Sequence, residues 1–210
     1  MKIIDSLEWR YACKKFDPTK KLSTELVEAL KKAFNLTATS YGLQPLKLLV
    51  IESDDIKQSL LPYAYYQAQV TSCSHLLVIC IDTAFGEDSV DEKFDLEKEI
   101  RGTGDEIIEK FRGQLKSIYR KKTAEQLERE STYQAYIALG NLMTVCAELR
   151  IDSCPMEGFI PPKVDEVLNL GDKNLKSVLM LPVGHRSGAD PTNGLKKIRK
   201  PLEEVVIEIG

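Results

Sequence analysis

At 210 residues, with 43% hydrophobic and 29% charged content, the chain has the composition of one soluble globular domain, long enough to bury roughly 70% of its unfolded surface. A net charge of −3 argues against nucleic acid as the main partner, because proteins that bind the phosphate backbone carry a basic excess. The start Met1-Lys2-Ile3-Ile4 meets Asp5, Glu8 and Arg10 at once, unlike a signal peptide, and the longest apolar run, Leu76–Ile81, is far too short to span a bilayer. A cytoplasmic location without a membrane partner is expected. The five cysteines (Cys13, Cys73, Cys80, Cys146 and Cys154) are odd in number and form no C-x-x-C pair, so they read as reduced, small buried residues. His75 and His185 lie far apart without a metal-ligand partner at helical spacing, and no metal site is expected.

Residues 3–11 put Ile3, Ile4 and Leu7 on one side of a short helix. Ser23 can cap a second helix, in which Leu26, Val27, Ala29, Leu30, Ala33 and Phe34 follow the period of one helix face. A polar loop, 37–45, leads into Leu46–Ile51, a core strand by its Leu, Val and Ile content. Ile56–Leu61 reads as a short helix broken by Pro62, residues 64–70 as the start of another, and Leu76–Ile81 as a second buried strand. From Asp82 to about Glu130 the chain becomes charged and helical, with narrow apolar stripes at Phe94, Leu96 and Ile100 and at Ile107, Ile108, Phe111, Leu115 and Ile118. Residues 82–130 have too little apolar material for a core of their own, and read as an excursion packing across the domain.

The stretch Gln134–Phe159 is the centre of the chain. Ala135, Ile137, Ala138, Leu139, Leu142, Met143, Val145, Cys146, Ala147 and Leu149 cover nearly every side of a helix, which predicts burial on most sides, by the core or by a partner subunit. The strand-like Ile151–Cys154 follows, then Pro155-Met156-Glu157-Gly158-Phe159. Pro161 and Pro162 open a short helix that stops near Gly171, and Ser177–Val183 makes a third strand. After a loop over 187–194 and the cations Lys196, Lys197, Arg199 and Lys200, Val205–Ile209 forms a strand-like tail of the kind that docks on a sheet, sometimes a neighbour's. The whole, 1–210, reads as a single α+β domain with helices flanking a small sheet.

The common phosphate-binding glycine loops are absent. Gly102-Thr103-Gly104 lacks a third glycine and follows a charged helix instead of a strand, and no G-x-x-x-x-G-K-[ST] occurs. Two basic groups remain for a phosphate: Arg10 with Lys14, and Lys197 with Arg199, whose i, i+2 spacing sets both on one face of an extended segment. Taken singly, such cations are ordinarily a solvated face.

Five segments tie them together. Arg10-Tyr11-Ala12-Cys13-Lys14-Lys15-Phe16 resembles the R-x-S-x-[KR]-x-[FY] opening of the nitroreductase family of flavin enzymes. Thr39-Ser40-Tyr41-Gly42-Leu43-Gln44-Pro45 resembles its S-x-N-x-Q-P loop, and Pro155 to Phe159 its P-x-E-G-F segment. Leu181-Pro182-Val183-Gly184-His185 is similar to its L-P-V-G-[HY] strand end, and Lys197-Ile198-Arg199 to its K-x-R. These occur in family order across nearly the whole chain, and the branch most resembled is the oxygen-insensitive NAD(P)H nitroreductase and dihydropteridine reductase group.

The resemblance implies a small, mostly antiparallel central sheet flanked by helices, in an FMN-binding homodimer with both sites at the subunit interface and the C-terminal strand exchanged. It implies Arg10, Lys197 and Arg199 at the FMN phosphate, Lys14 at the pyrimidine side of the ring, and Pro155, Glu157 and Gly158 near flavin N5. Thr39, Ser40, Gly42 and Gln44 are implied to approach from the partner subunit. Ala12 stands where the family has serine, Gly42 where its loop has asparagine, and Tyr66 and Gln69 where it has asparagine and lysine over the flavin; Gln67 and Gln69 are left to offer amide hydrogen bonds to the ring. The implied activity is hydride transfer from NADH or NADPH through flavin N5 to a small planar acceptor, a nitroaromatic, quinone or similar, by a ping-pong cycle. The flavin performs the electron chemistry, so no acid–base residue is assigned and Glu157 has a positioning role. Three other readings remain: a flavin store or sensor without turnover, a relative doing flavin, ene or dehalogenating reduction, and a purely structural dimer without flavin.

Overall fold

The computed structural model describes residues 2–210. Its centre is a four-stranded antiparallel sheet, counted among the described residues, in the order β1-β2-β4-β3, with β1 Leu46–Ile51, β2 His75–Asp82, β3 Asp152–Ser153 and β4 Leu175–Gly184. Alternation explains why β2 is a continuous apolar run. Leu76, Val78 and Cys80 enter a core with Phe16, Leu60, Val70, Met156 and Phe159, while Leu77, Ile79 and Ile81 enter another on the opposite face.

That second face is covered by α2 (Thr24–Asn35), through Val27 and Leu30, and by the long helix α7 (Ala124–Glu148), through Ala135, Ala138, Leu139, Leu142 and Cys146. The remaining helices are α1 Lys2–Trp9, α3 Asp54–Leu60, α4 Gln69–Ser72, α5 Asp88–Arg101, α6 Asp105–Tyr119, α8 Pro161–Val167 and α9 Leu202–Val205. Ser23 caps α2, its hydroxyl accepting from the Leu26 N–H. Ser23→Ala is expected to cost about 1 kcal/mol in chemical denaturation, the usual worth of such a cap.

Glycine is required where β4 ends. A Cβ on Gly184 would lie 3.0 Å from the Ser74 nitrogen and 3.1 Å from Phe16 Cδ1, so any side chain would push the N-terminal segment off the sheet. Lys57, fully buried, donates its ammonium to the carbonyls of Cys73 (2.9 Å) and Ser74 (3.4 Å) and pairs with Asp54 at 2.7 Å, pinning the entry to β2 onto α3.

The structure departs from the sequence expectations in four places. Residues 64–70 are not one helix. A 3₁₀ turn over Leu61–Ala64 ends in two left-handed tyrosines, Tyr65 (φ 52°) and Tyr66 (φ 55°), and only Gln69–Ser72 is α-helical. Helix α7 begins ten residues before Gln134, at a Thr123/Gln126 capping box that closes both ends of its first turn, so the charged excursion stops short of Glu130. Helix α1 ends at Trp9, so Arg10 and Tyr11 leave the helix expected over 3–11, while α7, expected to be covered by the core or by a partner subunit, leaves Tyr133, Tyr136 and Ile137 57%, 43% and 50% exposed in its own chain. The tail 205–209 forms no strand in this chain, and its Ile207 and Ile209 are almost fully exposed.

Helices α5 and α6 form a hairpin with a satellite cluster of Phe85, Val90, Phe94, Ile108, Leu115 and Tyr119. Leu43 of the 39–44 loop belongs to it, and Phe111 meets Tyr41 edge-on at 6.2 Å between centroids.

Candidate functional site

The segment after α1 is extended, bridged to β3 through Ala12 and Ser153, with the Cys13 N–H donating to the Ser153 carbonyl at 3.2 Å. Extended backbone alternates its side chains. Arg10, Ala12 and Lys14 line a common cleft of ≈ 680 Å³, joined by Tyr11, whereas Cys13 is fully buried on the other side. Pro155, Lys197 and Arg199 line the same cleft, so chain positions nearly 190 apart converge there. The Lys197 ammonium donates to the Arg10 carbonyl and ties the C-terminal segment to the N-terminal one.

The cleft is electrostatically unbalanced. Burial, and then the neighbouring Arg199, pushes the Arg10 guanidinium below its usual pKa, and burial followed by Arg10 and Arg199 does the same to Lys197. Both shifts say that the positive charges are held together at a cost. The Arg10 Nε is buried and has no hydrogen-bond partner. An orphaned guanidinium N–H between like charges is what a phosphate dianion would satisfy.

Asp190 fixes the Lys14 side of the cleft. One carboxylate oxygen accepts from the Lys14 N–H (2.6 Å), the Lys15 N–H (2.8 Å) and the Cys13 thiol (3.3 Å), and the other from the Thr192 N–H and hydroxyl at 2.7 and 2.6 Å. Burial by itself would raise this carboxyl, but the Thr192 and Lys15 bonds overcome it and hold the pKa at about 2. The Lys14 ammonium reaches the Cys154 sulfur at 3.4 Å. Beside it the Arg186 guanidinium lies 4.3 Å from the Trp9 ring and 4.5 Å from Tyr11, and bonds Asp152 through Nε at 2.6 Å.

Sequence reasoning passed over Asp190, treating 187–194 only as a loop; the Asp190-Pro191-Thr192 spacing of an Asx turn was the available signal. It also passed over Asp152 and Lys57, whose partners are distant in sequence.

Glu157, Gly158, Gln67 and Gln69 form a second group. The Gln67 Nε2 donates to the carbonyls of Gly158 (2.7 Å) and Ala64 (3.0 Å), and its oxygen accepts from Gln69 Nε2 at 3.0 Å. Both Gln67 hydrogens are engaged by protein, which leaves its oxygen, with one donor from Gln69 and a second lone pair, as the end that can still meet a ligand. Burial and a bond with the Glu157 carboxylate raise the Tyr136 phenol on α7.

Thr39, Ser40, Gly42 and Gln44 do not join either group within this chain. The Ser40 N–H donates to Gln134 of α7 (2.8 Å), and Gln44 bonds the Thr39 hydroxyl (3.1 Å) and the Asn35 carbonyl (3.0 Å). Thr39 and Gln44 line a different cleft of ≈ 450 Å³ along α2 and β1. Tyr41, Gly42 and Gln44 take left-handed φ angles of 56°, 69° and 48°, an irregular backbone held by these bonds. Among the described residues no His, Cys, Asp and Glu side chains gather to hold a metal ion, and no helix is long and apolar enough to cross a membrane.

Comparisons with known proteins bear on the family and the fold. The profile of the Nitroreductase family matches residues 7–185. A Staphylococcus haemolyticus protein named as a candidate NAD(P)H nitroreductase is 32% identical over 212 residues, covering 97% of this chain and 95% of that protein. Among solved structures, a candidate nitroreductase from Bacillus subtilis superposes with a TM-score of 0.87 at 20% identity, covering 98% of both chains. Another from Exiguobacterium sibiricum, solved in complex with FMN, gives 0.85 at 20% identity, covering 99% of this chain and 97% of that one. These two likenesses are of fold.

Proposed function

This chain belongs to the nitroreductase family, and on that premise we propose that it is an FMN-dependent oxidoreductase using NADH or NADPH. The observation that carries the reading is the cleft where Arg10, Lys197 and Arg199 converge around an orphaned Arg10 N–H. These residues fit a phosphate monoester, and Lys14 and Pro155 continue the same wall. FMN held there would supply two-electron chemistry between a nicotinamide hydride donor and a planar acceptor, a nitroaromatic or quinone. The protein supplies the rest. Arg10, Lys197 and Arg199 hold the phosphate, Lys14 places a cation beside the ring, and the Glu157–Gly158 backbone approaches it. Glu157 is a positioning residue.

The same proposal includes a homodimer. The exposed Tyr133, Tyr136 and Ile137 of α7 and the uncovered apolar tail need a partner surface, and the loop carrying Thr39, Ser40, Gly42 and Gln44 does not line the Arg10–Lys197–Arg199 cleft of its own chain. A second copy brings that loop to the other's cofactor and receives the tail as an exchanged strand on the free edge of β1. The α5–α6 hairpin, tied to the loop through Tyr41 and Leu43, then roofs the partner's site. The five buried, unpaired cysteines suit the reducing cytoplasm.

The test is the visible spectrum of the purified dimer, before and after anaerobic NADH or NADPH. A yellow protein that bleaches, and recovers its colour on adding a nitroaromatic or quinone, is expected. A colourless protein that takes up no added FMN overturns the cofactor assignment, and colour that persists under nicotinamide overturns the enzymatic one.

A further inference from the structure

From the bonds around Gly158 we infer that Gln69 and Gln67 form a polarised amide relay ending in the Gly158 N–H, and so tune the hydrogen bond this N–H gives to whatever sits against it. The inference rests on the reading above, in which that acceptor is flavin N5. Gln69 Nε2 donates to Gln67 Oε1 at 3.0 Å, and Gln67 Nε2 donates to the Gly158 carbonyl at 2.7 Å. The peptide bearing that carbonyl donates through its other end, the Phe159 N–H, to the Glu157 carbonyl at 2.9 Å. The peptide bearing the Glu157 carbonyl ends in the Gly158 N–H, which meets no protein acceptor among the described residues.

Four amide groups therefore stand in series, each accepting at its oxygen and donating at its nitrogen except for the first, which only donates into the chain. Each donation polarises the next amide toward the final N–H, and hydrogen bonds in such a chain strengthen one another. The direction is fixed by chemistry: turning the Gln67 amide over would set its oxygen against the Ala64 and Gly158 carbonyls, which cannot donate. Gln69 at the head of the series is only 4% exposed and Gln67 is half-buried, while the Glu157–Gly158 end faces solvent. A Cβ at position 158 would lie 3.3 Å from Gln67 Nε2, so that amide would have to give by a few tenths of an ångström. Gln67 and Gln69 are thus positioning residues that act through the backbone.

The test loads the dimer with ¹⁵N-labelled FMN and reads the N5 resonance in the parent, Gln67→Met, Gln69→Met and the double variant. Donation to a pyridine-type nitrogen shields it, so Gln67→Met is expected to move N5 downfield and Gln69→Met to move it less in the same direction. The double variant is expected to coincide with Gln67→Met, because Gln69 has nothing to polarise once Gln67 is gone. The FMN phosphorus resonance is expected to stay in place throughout, which packing damage spreading to the cleft would not allow. An unmoved N5 in Gln67→Met, or single shifts that add, overturns the relay. If Gln67→Met does not fold, an unmoved N5 in Gln69→Met overturns it alone. If the parent binds no FMN, the cofactor reading falls, and the Gly158 amide proton decides the relay: it moves upfield in Gln69→Met if the series exists, and an unmoved resonance refutes it.

Discussion

Arg10→Ala is expected to weaken FMN binding by about 3 kcal/mol, more than 100-fold in Kd, while leaving the FMN-free protein about as stable as the parent. Of the three cations, Arg10 is the one partly enclosed by the fold, and its Nε has no partner. Water therefore cannot fully replace a phosphate there, and a hydrogen bond to a charged group in such a place sits at the upper end of its range. Lys197 and Arg199 are exposed, so solvent and salt screen their shares.

Unlike an ordinary truncation, Arg10→Ala is expected to be close to neutral for the FMN-free protein. Burial and Arg199 both lower the Arg10 pKa, which means that folding is opposed by its charge, and removing it relieves that opposition while some packing of the stem is lost. Thermal denaturation with and without saturating FMN separates the two effects, because a ligand stabilises in proportion to ln(1 + [L]/Kd). FMN affinity within threefold of the parent would remove Arg10 from the phosphate site.

The largest effect on stability is expected at Asp190. Asp190→Ala strands the Lys14, Lys15 and Thr192 N–H groups, the Thr192 hydroxyl and the Cys13 thiol, five donors on one carboxylate that is only 5% exposed. Several of these can turn to water, so a loss of about 4 kcal/mol is expected, and the melting point falls by roughly 8–16 °C for a chain of this size.

Acid gives an independent check. The folded carboxyl is held at about 2 and an unfolded aspartate titrates near 3.9. Its contribution is therefore fully present above the unfolded value and is lost as pH falls from about 4 through 2. That slope amounts to about 2.5 kcal/mol in the parent and is expected to vanish in Asp190→Ala. Equal acid sensitivity in the two proteins would show that the carboxylate does not anchor the loop. Weaker FMN binding is expected to accompany the substitution, since the Lys14 backbone loses its fixed point.

Local chemistry was legible where a short window contained both the signal and its partner. Ser23 and the apolar period after it define α2, and the run at Leu76–Ile81 carries the alternation that fills two cores. The Arg10, Ala12 and Lys14 face was not legible, because the apolar pattern at Ile3, Ile4 and Leu7 carries the expected helix to Tyr11, whereas α1 ends at Trp9 and the following chain is extended. The 64–70 segment misled because its helical composition is overridden by a turn that places two tyrosines left-handed, a conformation no propensity favours. Helix α7 reads as buried all round because the sequence records the apolar surface without saying whether its own chain or another copy covers it.

The sequence by itself determined the strand faces, the cap of α2 and the shared face of Lys197 and Arg199, since each depends on backbone periodicity over a few residues. Only the tertiary structure decided that Asp190 grips residues 175 and 176 positions earlier, and that Gln67 meets a carbonyl 91 positions away. Those bonds depend on two distant segments arriving at hydrogen-bonding distance in one orientation, a condition that packing of the whole core sets and no local pattern encodes.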